Sequence, residues 1–261
     1  MPLQPEFEPY SYPETYYAGA YWGPRRESPE QCAHRTATFL NHLAPCDPFL
    51  AHWYKPTRSR KEARNKYPLM PPDLPTLTEL FRKGVNREGK GPVIEELGFS
   101  FWFGNGGGNY DRAGLRIHSG SYGEGNSNAC VLSLPSLGRS KNADRIITAS
   151  VLTSVVRCMA LAWEPDWAIA MSHAYRATED ERDGQANDRP GWISYFARHR
   201  GTVPPLPAPV RIEHVGDQGT LIILTPERFT YENAEHVALA RRVHELLVKA
   251  GLMEPIVRRP A

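Results

Sequence analysis

Between Gly98 and Leu134 three short apolar runs alternate with two segments built almost wholly from turn-forming residues. That spacing restricts the fold more than any other feature of the chain. The runs are Gly98 to Phe103, Gly114 to Ser119 and Ala129 to Leu134, separated by GNGGGNYDRAG and GSYGEGNSN. Parallel neighbours need a crossover of a dozen or more residues, usually a helix, and these connections have no helical character. The three runs are therefore expected to form an antiparallel meander, which disfavours a doubly wound α/β sheet. Strand alternation sends Leu115 and Ile117 inward and Arg116 and His118 outward. It likewise turns Cys130, Leu132 and Leu134 inward.

Helices and further strands surround this block. Thr15 to Trp22 is aromatic, uncharged and strand-like. Ser28 is suited to cap a helix with Pro29 at its first position, running to about Leu43 and burying Ala33, Ala37, Phe39 and Leu40. Phe49 to Tyr54 is expected to be a short strand, the cationic stretch Arg58 to Lys66 a solvated loop or exposed helix, and Pro75 to Lys83 a short helix. From Asn142 to Trp163 the apolar positions Ile146, Ile147, Leu152, Val155, Val156, Met159 and Trp163 cover most of a helix circumference, which predicts one central buried helix ended by Pro165. Strands are expected at Trp167 to Tyr175, Gly191 to Ala197, Val210 to Val215 and Thr220 to Thr225. The last two should form a hairpin through Gly216-Asp217-Gln218-Gly219. Thr202 to Pro209, with four prolines in eight residues, must be an extended connector. Asn233 to Ala250 closes the series as an amphipathic helix stopped by Gly251. With no βαβ repeat and no internal boundary, the fold class is α+β: a proline-punctuated arm at 1–14 and one domain over 15–261, mainly antiparallel sheet with a buried central helix and an amphipathic C-terminal helix.

Composition narrows the function. There are 31 basic and 29 acidic side chains, so the net charge is +2 and the molecule as a whole does not attract phosphate. Direct binding of nucleic acid by bulk charge is disfavoured. Four cysteines, at Cys32, Cys46, Cys130 and Cys158, are too sparse for a disulfide scaffold, and without CxxC they do not suggest structural zinc. The first residues carry neither a positive n-region nor an apolar h-region, and no apolar stretch is long enough to span a bilayer. A cytoplasmic protein without membrane contact is expected.

Catalytic patterns mostly fail on inspection. The Gly104 to Gly108 loop has Asn109 where a third phosphate-cradling glycine would stand, and no helix start follows it. Asp73 and Glu88-Gly89-Lys90 imitate the acids and lysine of metal-dependent nucleases, but they lack strand context. His236 and His244 are badly spaced for a metal, and no cofactor is implied. The alternative worth stating is a hydrolase or transferase using His118, Asp111 and Cys130, in which Cys130 is the nucleophile and Asp111 orients the imidazole. Strand alternation opposes it, because Cys130 and His118 should point to opposite faces.

Two features point to a protein partner instead. TEDERDGQAND gathers Glu179, Asp180, Glu181, Asp183 and Asp188 against the single cation Arg182, a local charge of about −4 on a nearly neutral chain. Such a cluster can steer a cationic partner. Aromatic residues supply candidate anchors: Trp102 and Trp192 near strand ends, and Tyr110 and Tyr122 in the turns of the meander.

The order of several segments completes the reading. YYAGAYWGPRRESPEQCAHRTATFLNHL, then DPFLAHWY, then GFSFWFGNG, then NACVLSLP, followed by PDWA at Pro165 to Ala168 and PGWISYF at Pro190 to Phe196, resembles the immunity protein 52 family of bacterial polymorphic toxin systems over about residues 15–250. The resemblance implies a cytoplasmic, non-enzymatic protein that binds and neutralises a cognate toxin. The toxins found beside such proteins commonly carry a nuclease domain with a restriction-endonuclease-like fold. It supplies no catalytic residues, in keeping with the failed motif search. Many nuclease inhibitors are strongly acidic, and this chain is not, so contact through a local patch such as Glu179 to Asp188, or away from the substrate groove, is expected.

Overall fold

Tyr16–Trp22 is a seven-residue run without a charge, and every residue in it except Tyr21 is buried. A strand of that kind can be hidden on both edges and both faces, and it forms the middle of the sheet. The computed structural model describes residues 14–55, 67–89, 91–108, 110–177 and 189–256. The expected arm, the Arg58–Lys66 stretch and the acidic Glu179–Asp188 cluster fall outside these residues, apart from Glu14 of the arm. In chain order the elements are β1 (Tyr16–Trp22), α1 (Pro29–Leu43), α2 (Leu74–Lys83), β2 (Phe99–Gly104), β3 (Gly114–Ser119), β4 (Asn128–Ser133), α3 (Lys141–Ile146), α4 (Ala149–Trp163), β5 (Trp167–Ser172), β6 (Ile193–Ala197), β7 (Arg211–Val215), β8 (Gly219–Ile223) and α5 (Ala234–Lys249). The strands make one sheet in the order β2-β3-β4-β1-β5-β6-β8-β7. All its pairings are antiparallel. The α+β class and the meander are as expected.

One face of this sheet is largely apolar from β2 to β8 and turns charged only at the β7 edge, with Arg211 and Glu213. Cross-strand partners share a face, so Ala18 and Ala20 lie level with Leu132 and Cys130, Leu115 and Ile117, Ala170 and Ala168, and Ile193 and Tyr195. Helix α4 crosses β1, β5, β6 and β8 on this side and carries α1 on its outer flank, with α2 beyond it. Trp163 of α4 stacks on Trp22 with ring centroids 5.3 Å apart. Leu152, Val155, Val156, Met159 and Trp163 have no solvent exposure, which explains a helix apolar on most of its circumference. The last carbonyls of α4 are met by two arginines from the RRES region and α1: Arg25 Nη2 donates to Trp163 O at 2.8 Å and Arg35 Nη1 to Ala162 O at 3.0 Å. Both cations share the buried carboxylate of Glu27.

Three expectations need correction, and they share a cause. The single helix over Asn142–Trp163 is two, α3 and α4, because Thr148 leaves the helix and accepts Val151 N on its hydroxyl as a new N-cap. Phe49–Tyr54 is not a strand: Asp47 accepts Phe49 N at 2.8 Å, and Pro48 then starts a 3-10 turn over Pro48–Ala51, leaving Tyr54 in isolated bridges to Pro68 and Gly104. The strand expected to reach Tyr175 stops at Ser172, whose hydroxyl accepts Tyr175 N and begins a helical turn over 173–177. In each case a short polar side chain bonds nearby backbone and ends the regular element.

Candidate partner-binding face

The sheet's other face is covered over its centre, where Ile169, Phe196 and Ile222 are buried, and exposed over the meander. The sequence FSFWFG in β2 accounts for the difference. Phe99, Phe101 and Phe103 alternate toward the helical layer, where Phe81 of α2 meets Phe101 edge-on at 4.6 Å and Trp53 meets Phe103 at 5.6 Å. Trp102 is thereby thrown to the opposite side, where it is 59% exposed, more than any other large apolar side chain among the described residues. The outer edge of β2 is blunted by neighbouring chain. Ser100 N donates to Gly84 O, and Tyr54 N donates to Gly104 O.

Register defines what surrounds Trp102. It pairs with Arg116, which pairs with Val131, which pairs with Gly19. The next row on the same face is Ser100, His118, Ala129 and Tyr21. Gly19 has no side chain because the Tyr21 ring lies over it: a Cβ there would fall within 2.8 Å of the ring carbon Cζ. Ser100 Oγ lies 2.7 Å from His118 Nδ1. Partial burial holds His118 below the ordinary histidine range, and the Arg116 charge adds to the effect. The residues pointing to this face from β2, β3 and β4 include Arg116 and no carboxylate.

The other tyrosines proposed as anchors occupy the two ends of the meander. Tyr110 is 48% exposed in the β2–β3 turn; Arg139 lies over its ring at 4.8 Å and donates to its hydroxyl at 2.8 Å. Tyr122, in the β3–β4 turn, has Arg26 over its ring at 4.9 Å. Tyr110 and Tyr122 are each held under an arginine, which adds a fork of donors at the ring's margin, while Trp102 has Arg116 as its cross-strand neighbour. The alternation of FSFWFG was enough to place Trp102 outside. The same alternation put Arg116 outside beside it, whereas Arg26 and Arg139, drawn from other segments, left no local signal.

Trp192 is different and must be removed from the candidate anchors. It has no solvent exposure, packs edge-on against Tyr16 at 6.3 Å, and donates its indole N–H to Thr225 O at 2.9 Å. The candidate acids Glu179, Asp180, Glu181, Asp183 and Asp188 lie outside the described residues.

The catalytic alternative does not assemble. Cys130 is fully buried on the helical side of the sheet, with its thiol pushed up by burial, while His118 faces the other way. Asp111 is occupied structurally: it accepts from the Ser140 hydroxyl and from Asn142 Nδ2 at 3.2 Å, beside the start of α3. Asp73 caps α2 through Thr76 N at 3.0 Å. In the Gly-rich loop, Asn105 Oδ1 accepts Gly107 N and Ala113 N, folding the loop on itself. Among the described residues there is no group of three or more His, Cys, Asp or Glu placed to hold a metal ion, and no helix is long and apolar enough to cross a membrane.

A family model described as Immunity protein 52 matches residues 14–256. The chain belongs to the immunity protein 52 family. Membership makes it an immunity protein of a toxin system, with a cognate toxin as its partner. Among solved structures this immunity protein is similar to a Pseudomonas aeruginosa T6SS protein, PA0821, at 12% identity and a TM-score of 0.52, covering 93% of this chain and 74% of that one. At that identity the likeness is one of fold. No curated protein matches the chain.

Proposed function

We propose that this protein neutralises its cognate toxin by stoichiometric binding in the cytoplasm, without catalysis of its own, and that the toxin carries a nuclease domain with a restriction-endonuclease-like fold. The nuclease reading rests on the toxins that commonly accompany the family. The observation that carries the mode of action is the exposed meander, with Trp102 beside Arg116 on its open face and Tyr110 and Tyr122, each under an arginine, in the turns at its two ends, on a sheet backed by a rigid helical layer. Tryptophan, tyrosine and arginine supply much of the binding energy at protein interfaces, the aromatics because they bury a large area at low entropic cost and keep a polar group for the partner, arginine through its planar fork of donors. A toxin made in the same cell must be held at nanomolar affinity or better, about 12 kcal/mol, over roughly 800 Å² per partner. Trp102 on the open face, with Tyr110 and Tyr122 in the turns at either end, offers anchors for such an interface. The acidic run Glu179 to Asp188 supplies long-range attraction for a basic nuclease surface.

The test is a binding titration with the toxin encoded beside this gene. Trp102→Ala should weaken binding by about 10-fold to 100-fold while leaving the circular dichroism spectrum and thermal midpoint unchanged, since the indole supports little of the core. Equal affinity for Trp102→Ala and for the corresponding Tyr110 and Tyr122 variants would move the interface elsewhere. Full protection against a toxin shown to lack nuclease activity would remove the nuclease reading and leave the binding reading intact.

A further inference from the structure

The chain has four free cysteines, and two of them touch. Cys46, at the end of the short turn after α1, lies with its Sγ 3.6 Å from Sγ of Cys158 in the middle of α4. Both thiols also face the same acceptor, His42 O, at 3.5 Å from Cys46 and 3.1 Å from Cys158. Cys32 and Cys130 have no such neighbour in their surroundings and no solvent exposure. We propose that Cys46 and Cys158 form a modification site, a dithiol that a two-electron oxidant of the peroxide class converts into an intramolecular disulfide joining the end of α1 to α4.

The two members are suited to different parts of the reaction. Cys46 is half-buried and therefore reachable from solvent, and its contact with the Cys158 sulfur favours its thiolate. Cys158 is nearly enclosed and holds its own proton more tightly. In the first step the Cys46 sulfur attacks one oxygen of hydrogen peroxide; the S–O bond forms as the O–O bond breaks, and the departing hydroxide takes up a proton as water. Cys46 is then a sulfenic acid. Cys158 gives up its proton and its sulfur attacks the Cys46 sulfur, displacing the hydroxyl, which leaves with that proton as a second water. Two thiols and one peroxide become one disulfide and two waters. The sulfurs, 3.6 Å apart, need to close by about 1.5 Å to reach bonding distance. Because α4 lies on the side of the sheet away from Trp102, the bond fastens the scaffold without altering the exposed face.

The experiment uses the full-length chain, purified with reductant, freed of it, and exposed to hydrogen peroxide before alkylation and non-reducing peptide mapping. A linked pair of peptides carrying Cys46 and Cys158 is expected. Alkylatable thiols under denaturing conditions should fall from four to two and return to four with dithiothreitol. The thermal midpoint should rise on oxidation of the natural chain and stay unchanged for Cys46→Ser, which removes only a half-buried sulfur; Cys158→Ala serves as the reciprocal control. Accumulation of Cys46 sulfinic acid with Cys158 still reduced, or linkage of Cys46 between separate molecules, would overturn the assignment.

Discussion

His118 and His173 are both less basic than a free imidazole, in each case chiefly because they are partly withdrawn from water. The nearby charges of Arg116 and Arg176 push the same way. Their effect on stability has a definite sign. Just below the ordinary histidine value of about 6.5 the unfolded chain binds more protons than the folded one, so stability falls as the pH drops through that window and is fully present above it. Urea unfolding should therefore give a lower midpoint at about pH 5 than at about pH 7.5, and a His118→Gln, His173→Gln double variant should lose part of that difference. A midpoint equally pH-dependent in the double variant would assign the effect to other groups. The same scale shows where sequence reading stops. Trp102 and Trp192 are both tryptophans beside strand ends, one an exposed candidate anchor and the other sealed in the core. Alternation with three phenylalanines distinguishes the first; only the Thr225 carbonyl and the Tyr16 ring, brought in by tertiary structure, reveal the second.

At the scale of elements, the exposed face depends on how firmly α4 is seated behind the sheet. Its C-terminal carbonyls are satisfied by Arg25 and Arg35, and Glu27 holds both guanidinium groups with its side chain only 5% exposed. Glu27→Ala would leave two cations crowded together and half-buried without their shared anion. A loss of about 2 kcal/mol is expected, seen as a lower urea midpoint with an unchanged m-value. Glu27→Gln, which keeps the acceptor but not the charge, should lose less. The elements themselves were largely legible, because the apolar period in β1, the meander, α1, α2 and the final helix agrees with their capping residues. The errors arose where these signals conflicted. Asp47, Thr148 and Ser172 each interrupt an otherwise continuous apolar pattern by bonding to backbone two or three residues on, and periodicity carries no record of such a bond.

For the molecule as a whole, near-neutrality hides an uneven distribution of charge. The meander face contributes Arg116 and no carboxylate, whereas Glu179 to Asp188 concentrates acids in one short run. If that run guides a basic toxin, replacing Glu179, Asp180, Glu181 and Asp183 by Lys should slow association by about 10-fold at low salt, with a smaller change near 0.5 M salt, and leave the thermal midpoint almost unaltered. Stopped-flow mixing at several ionic strengths measures this, and an association rate indifferent to the reversal would restrict recognition to short-range contacts. The single sheet has a further consequence through its order of strands. β1 emerges first from the ribosome, yet its two neighbours, β4 and β5, are joined to it across more than a hundred residues of chain. Such distant pairings make folding slow, and the middle of the sheet stays vacant on one side until β5 has been translated. A fragment ending before β5 lacks one of the two central pairings of the sheet and is expected not to fold, so protection should begin only with chains that extend past it.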